Sequence, residues 1–287
     1  MPYAVITGIS SGIGLDATRI LIENGFHVFG TVRKESDKEK MEQQFPEGLS
    51  VIMLDVTDDD AILSASAYVK EVIGDQPIKA LINNAGIAVP GPLMLISDEE
   101  FYHQMNVNVL AVRKFTNAFL PMLGFQEDYP HPPGKIINIS SVSGLFNNPF
   151  NGAYSISKHA LESMNDVYRR ELLKFGIDVI AIEPGPIKTK IWSKNIGTLD
   201  KYKNSVYGDL LKKADKMIKQ AEAGALPVED VSNLILKVIH SDKPKTRYIV
   251  HRKPLLFKIF AKWLPDRMQD RLVWKTLNKK DGKYRPV

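Results

Sequence analysis

Apolar runs of strand length alternate with amphipathic helical stretches through most of the chain, and this alternation decides what it can fold into. The runs span residues 3–7, 27–32, 49–54, 80–83, 135–140, 178–183 and 247–250. Helical patterns fall at 13–24, 58–73, 98–123 and 153–175, with two later ones at 200–223 and 228–240. Continuous apolar strands separated by helices belong to a parallel sheet covered on both faces. Right-handed crossovers then predict an α/β fold, a doubly wound, Rossmann-type parallel sheet of about seven strands in a single domain. Residues 126–134 hold three prolines and read as a surface loop.

Composition narrows the class further. The chain has 287 residues, 44% hydrophobic and 25% charged, which argues against disorder. Its formal charge of +5 is unevenly placed. From Lys243 to the end there are 14 basic and 3 acidic residues, a net of +11, so the body carries −6. There is no cysteine, which removes disulfides, thiolate metal sites and a Cys nucleophile, and fits a reducing compartment. The first strand begins at residue 3, which leaves no room for a signal peptide, and no run of 18 apolar residues occurs. A cytoplasmic protein is expected, with peripheral membrane association through the tail as an alternative.

A glycine-rich turn joins the first strand to the first helix: Thr7-Gly8-Ile9-Ser10-Ser11-Gly12-Ile13-Gly14. Gly8 turns sharply without a Cβ, Gly12 admits backbone close to a pyrophosphate, and Gly14 lets helix and strand pack closely. Free N–H groups at the helix start then meet the anion. Candidate contacts are Gly8, Ser10, Ser11, Gly12 and Ile13. A glycine triplet alone also describes an ordinary turn; the strand–turn–helix context favours the phosphate site.

The spacing G-x-x-x-G-x-G, preceded by Thr, resembles the short-chain dehydrogenase/reductase family. Four further motifs carry the resemblance: Asp55-Val56, Asn83-Asn84-Ala85-Gly86, Tyr154-Ser155-Ile156-Ser157-Lys158 and Pro184-Gly185. Together they cover about the first 190 residues, in the family's order. The resemblance implies a nicotinamide-dependent alcohol/ketone oxidoreductase. Asp55 and Val56 would meet the adenine; Asn84, Ala85, Gly86, Pro184, Gly185, Ile187 and Thr189 would line the cofactor. Residues 1–250 would form the NADP-binding catalytic domain, with 186–225 covering substrate and 251–287 as an extension.

The second strand decides which dinucleotide. An acidic residue at its end favours NAD. Here Val32 ends the strand, and Arg33 and Lys34 follow. A guanidinium can clamp a 2′-phosphate through two charge-assisted hydrogen bonds. NADP(H) is therefore expected over NAD, through Arg33. Relatives often add a basic residue within the glycine loop, where this chain has Ser10 and Ser11.

Tyr154 and Lys158 are four residues apart on a helix and share a face. A phenol near pKa ~10 is a poor base at neutral pH, and a nearby ammonium is expected to lower that value. The phenol then exchanges a proton with a carbonyl or alcohol oxygen. The resemblance assigns the substrate-orienting serine to Ser141, 13 residues before Tyr154, with Ser140 as the competitor. It assigns the family's asparagine, which distorts its helix and supports a proton relay, to Asn108, with Asn106 as the competitor. No metal-ligand spacing occurs among the six histidines, so no catalytic metal is expected. A non-catalytic NADP-binding sensor or a docking protein on the same fold is the rival reading; lost catalytic residues would mark it, and none is lost.

Candidate substrate contacts are Ser141, Phe146, Phe150, Tyr154 and Trp192, with Met94, Leu95, Leu145 and Ile191 nearby. An apolar wall suits a lipophilic small molecule. The chain is similar to steroid- and retinol-type members in this region and in its long tail. Residues 254–277 carry apolar side chains at spacings of three and four, interleaved with Lys and Arg and broken at Pro265. Three roles compete for this amphipathic helical extension: docking on the body or on a second copy in a homo-oligomer, contact with an anionic membrane, and nucleic-acid binding. The last is disfavoured because no recognised module accompanies the charge.

Overall fold

The computed structural model describes residues 1–189, 191, 197–212 and 223–277. Its centre is a seven-stranded sheet in the order β3-β2-β1-β4-β5-β6-β7, with every pairing parallel. The strands are β1 (Tyr3–Ile6), β2 (His27–Val32), β3 (Leu49–Met53), β4 (Ile78–Asn83), β5 (Lys135–Ile139), β6 (Asp178–Pro184) and β7 (Arg247–Val250). The expected doubly wound fold is present, and each strand lies within two residues of its predicted bounds. The order reverses direction between β1 and β4, which opens a crevice at their carboxyl ends.

Helices cover both faces. They are α1 (Gly12–Glu23), α2 (Glu35–Gln44), α3 (Asp59–Ile73), α4 (Asp98–Met105), α5 (Ala111–Leu123), α6 (Gly152–Glu171) and α7 (Glu229–His240). Successive strand residues point to opposite faces. Val5, Leu81, Ile136 and Val179 join one core with Ile62, Val69, Phe115 and Phe119 of α3 and α5. Ala4, Ile6, Ile82, Ile137 and Ile180 join the other with Ala17 and Leu21 of α1 and Val231, Ile235 and Val238 of α7. Each fully buried side chain of this size contributes about 1.5–3 kcal/mol.

Three helical expectations change. The single helix at 98–123 is split by a π-helical turn, Asn106–Leu110. Asn108 lies within this turn, and its side chain hydrogen-bonds outside its own helix. The helix α2 has no counterpart in the periodicity, because Met41 is its one buried residue and gives no apolar stripe. The helix expected at 200–223 starts later: Thr198–Tyr202 forms a 3-10 turn and residues 208–212 are helical, while residues 213–222 lie outside the described residues. The tail folds as α8 (Pro254–Trp263) and α9 (Asp266–Leu277), separated at Pro265 as expected. No described helix is long and apolar enough to cross a membrane.

Candidate active site

The glycine loop is held from both sides of the switch point. Gly8 N donates to Thr31 Oγ1 of β2 at 3.1 Å. The Asn84 carboxamide donates to Thr7 O and Gly8 O, both at 2.9 Å. Thr7 Oγ1 accepts from the backbone N–H groups of Asn84 and Ala85, each at 3.0 Å. Gly8 and Gly12 have φ of +74° and +61°, in the left-handed region. Gly14 has no room for a side chain: a Cβ would lie 2.3 Å from Gly8 O and 2.4 Å from Asn84 Nδ2. At the start of α1, Ser11 makes no side-chain capping bond and the first turn has no acidic residue. The unpaired N–H groups of that turn therefore suit an anion, and the loop fits a dinucleotide phosphate. Ser10, Ser11, Gly12 and Ile13 are half-buried along its rim.

Arg33 is exposed immediately beyond β2, with no acidic residue at the strand end. Asp55, beyond β3, accepts from Thr57 N at 2.9 Å and Thr57 Oγ1 at 2.7 Å, so one of its oxygens closes a turn. Partial burial pushes the Asp55 carboxyl up, but the Thr57 hydrogen bonds and the Arg33 and His103 charges outweigh it and hold the group below its ordinary value. The Val56 side chain belongs to the core, which leaves its backbone to face a ligand.

The central strand ends bring the sequence-selected polar residues together. Ser141 follows β5 and Tyr154 lies in the first turn of α6; a hydrogen bond joins their side chains. Ser140, the competitor, is buried and its Oγ makes no hydrogen bond. Lys158, one turn past Tyr154, sits 5.7 Å from the centroid of the Tyr154 ring and donates from Nζ to Ile139 O at 2.8 Å. Asn108 Oδ1 accepts from Ile87 N, while Nδ2 donates to Ile87 O and Ser157 Oγ, all at 3.0 Å. Gly86 separates Asn108 from Lys158: a Cβ there would lie 3.3 Å from Asn108 Oδ1 and 3.9 Å from Lys158 Nζ. Asn106 is only half-buried, whereas Asn108 is 1% exposed.

The electrostatics depart from expectation at the phenol. Burial pushes Tyr154 up to about 12, and the Ser141 hydrogen bond only partly opposes it. Lys158 stands over the ring, so its charge acts weakly on the hydroxyl. Burial also pushes the Lys158 ammonium down, to about 8, against the attraction of Glu162.

The segment after β6 returns to the glycine loop. Gly185 N donates to Val250 O at 2.8 Å, and Ile187 forms a parallel bridge with Leu226. Pro184 and Ile187 are buried, and Thr189 borders Gly12, where a Cβ would lie 3.2 Å from Thr189 Cγ2. Among the expected substrate contacts, Phe146 packs on Phe260 of α8 at 4.8 Å, and Phe150 meets Tyr207 edge-on at 5.7 Å. Phe150 has φ +65° and packs with the buried Leu199, Tyr202 and Leu211. Met94 and Leu95 are exposed; Tyr207 donates its hydroxyl to Met94 Sδ at 2.9 Å. Trp192 lies outside the described residues. No group of three or more His, Asp or Glu side chains among the described residues is placed to hold a metal ion.

Sequence reasoning missed Thr31, Gln104 and Ser157. Gln104 grips the strand-four loop through Ile87 O at 2.9 Å and Val89 N at 2.7 Å. No motif separates such a residue from a polar surface position; only its complete burial does.

Comparison with known proteins bears on the same segments. The model of the family described as short chain dehydrogenase matches residues 2–198. An NADPH-dependent 3-dehydrocapnine reductase of Ornithobacterium rhinotracheale is 40% identical over 279 residues, 97% of this chain and 98% of that protein. Retinol dehydrogenase 16 of Mus musculus is 32% identical over 289 residues, 96% of this chain and 88% of its own. The crystal structure of a short-chain dehydrogenase from Streptomyces avermitilis aligns with a TM-score of 0.76 at 24% identity, covering 99% of this chain and 98% of that one. The glycine loop, the sheet order and these matches agree, and the chain belongs to the short-chain dehydrogenase family of oxidoreductases.

Proposed function

We propose that this chain is an NADP(H)-dependent oxidoreductase that interconverts a lipophilic ketone and its secondary alcohol, with Tyr154 as general acid/base. The observation that carries the reading is the buried junction of Ser141, Tyr154 and Lys158, which sets two hydroxyls and an ammonium at the carboxyl ends of the central strands. A bound nicotinamide nucleotide supplies or accepts the hydride. In the reductive direction Ser141 hydrogen-bonds the ketone oxygen and Tyr154 donates its phenolic proton to it, so that carbonyl becomes alcohol and phenol becomes phenolate. Lys158 offers that phenolate a positive charge from one helical turn away, over the ring face. Asn108 fixes the Ile87 loop and Ser157 beside Lys158, where proton resupply begins. A phenol held at about 12 is protonated at neutral pH, the form that donates to a ketone.

Three features support NADP(H) over NAD. Arg33 is exposed directly after β2, β2 ends without an acid, and a relative 40% identical is named NADPH-dependent. The lipophilic substrate is supported by Phe146, Phe150 and the cluster around Tyr202, and by relatives named for 3-dehydrocapnine and retinol. Following NADPH consumption over long-chain 3-keto lipids, retinal, steroid ketones and sugar ketoses tests it. Turnover of an apolar carbonyl is expected; turnover confined to ketoses contradicts it.

The tail adds a second reading, contact with an anionic membrane. Helix α8 packs Phe257 against His251 and Phe260 against Phe146. Its opposite face is exposed, with Leu255, Leu256, Ile259 and Trp263 beside Lys258 and Lys262. Helix α9 continues the pattern with exposed Met268 and Leu272 beside Arg267, Arg271 and Lys275. Apolar residues rimmed by cations suit acyl chains below anionic headgroups. The test is co-sedimentation with phosphatidylcholine vesicles, with and without phosphatidylserine. Binding to the anionic vesicles that Leu256→Glu/Trp263→Glu abolishes is expected. Equal sedimentation of both proteins removes the idea, and self-association through this face without vesicle binding assigns it to a second copy instead.

A further inference from the structure

Between the sheet and α6 runs a buried polar seam that the proposed chemistry leaves unused. Asn138 pairs with Ala181 and Ile139 with Ile182, so Ser140 and Glu183 come next in register and share the face beneath α6. Helix α6 presents Glu162 there, one turn beyond Lys158 and two beyond Tyr154. From β7, Arg247 Nε donates to Glu162 Oε2 at 2.8 Å, and Nη2 lies 2.9 Å from Asp166 Oδ1. Glu183 Oε1 is 3.5 Å from the same Nε. Glu162 and Glu183 are 7% and 1% exposed. Ser140 Oγ, Glu162 Oε1 and Glu183 Oε1 are buried without a hydrogen-bond partner.

Glu162 also touches the turn that carries Ser141. A Cβ on Gly144 would lie 2.9 Å from Glu162 Cγ, 3.0 Å from Lys158 O and 3.2 Å from Ser140 Oγ. One carboxylic side chain thus contacts the Ser141 turn while sharing a helix face with Tyr154 and Lys158.

A purely structural account of this acid is weak. Arg247 already faces three carboxylates, and buried ion clusters of this kind are commonly no more stable than apolar packing. Lys158 gives the charge another use. Burial works against its ammonium, and Glu162 is the acid that opposes the effect. The groups that face Glu162 are Lys158 and Asp166 on its own helix, Glu183 from β6 and Arg247 from β7; Lys258 and Lys262 of α8 act on Glu183.

We propose that Glu162 is a positioning residue for the oxidoreductase site: its carboxylate holds Lys158 charged from one helical turn away, and its stem fixes the turn that carries Ser141. This rests on the reading of Tyr154 and Lys158 as the working pair, but its test does not require turnover. In full-length protein with lysines labelled with 13C at Cε, the Lys158 signal is assigned by its absence from Lys158→Met. Burial pushes Lys158 down to about 8, and its measured midpoint is expected to be lower in Glu162→Gln than in the parent by at least about half a pH unit, because a nearby opposite charge favours the charged form. Glu162→Asp keeps the charge and shortens the stem; its midpoint is expected to stay near the parent value while thermal stability falls. Glu162→Met, which keeps a stem of similar length without the carboxylate and leaves Arg247 paired with Asp166 and Glu183, gives the same reading if Glu162→Gln does not fold. A midpoint unmoved by loss of the carboxylate overturns the proposal. Persistent activity in Tyr154→Phe would instead overturn the underlying reading and leave this titration standing.

Discussion

Asn108 Nδ2 donates to Ser157 Oγ at 3.0 Å, and so ties the π-helical turn to the residue before Lys158. Its other bonds hold both backbone groups of Ile87. Removing the carboxamide takes these bonds from both backbone groups of Ile87 and leaves Ser157 Oγ bonded to Tyr154 O alone. Asn108→Ala is expected to lower stability by about 2–3 kcal/mol, since an unsatisfied buried partner costs ~1–3 kcal/mol. Urea denaturation measures this; a loss under about 0.5 kcal/mol contradicts the role given to Asn108.

Gly14 is the tightest point of the phosphate loop, with Gly8 O and Asn84 Nδ2 both inside the reach of a Cβ. Both neighbours are fixed by hydrogen bonds, so neither yields cheaply. Gly14→Ala should displace Gly8 and weaken NADPH binding at least about tenfold, or ~1.4 kcal/mol. Fluorescence titration with NADPH checks this; parent-like affinity contradicts the close packing.

Arg33 follows β2 directly and is exposed, with Lys34 beside it; on the proposed reading Arg33 is the cation that selects NADP(H). Charge-assisted hydrogen bonds contribute about 1.5–3 kcal/mol. Arg33→Ala is therefore expected to raise KM for NADPH about tenfold or more and to leave KM for NADH nearly unchanged. An unaltered ratio of the two removes Arg33 from cofactor choice.

Glu183 makes stability depend on pH. Burial, reinforced by Glu162, pushes its carboxyl up from 4.5 to about 7, and the attraction of Arg247, Lys262 and Lys258 falls short of cancelling this. The folded state therefore binds a proton that the unfolded chain releases near 4.5. The stabilisation is complete below that value and is lost as pH rises through 7. Glu183→Gln mimics the protonated form. It should be more stable than the parent at pH 8, by on the order of 1–3 kcal/mol, with the gap closing towards pH 5. Denaturation midpoints at the two pH values decide it; a gap that widens on acidification contradicts the account.

The strands were readable because each is an unbroken apolar run bounded by a turn or a helix signal. The glycine loop, Ser141, Tyr154 and Lys158 were singled out through the spacings of motifs shared with a family, and the fold brings the last three together at the ends of the central strands. The π-helical turn was hidden, since Asn106–Leu110 continues the helical apolar period and the partners of the Asn108 side chain, Ile87 and Ser157, are far away in sequence. Helix α2 was hidden for the opposite reason: Met41 alone is buried. The raised phenol at Tyr154 could not be foreseen, because a spacing of four residues does not say whether an ammonium meets the hydroxyl or the ring face. Arg247 and Glu162 are 85 positions apart, and no local pattern joins them.

The central claim is that Tyr154 moves the proton. Tyr154→Phe removes one oxygen from a buried site and leaves the glycine loop, Arg33 and Lys158 in place. NADPH-dependent reduction of the carbonyl compound selected by the substrate panel should fall at least about 10²-fold, the lower range for loss of a general acid. NADPH affinity, measured on the same preparation, should stay within about threefold of the parent, a difference under ~1 kcal/mol. Reduction within about tenfold of the parent rate, with affinity intact, would contradict the assignment.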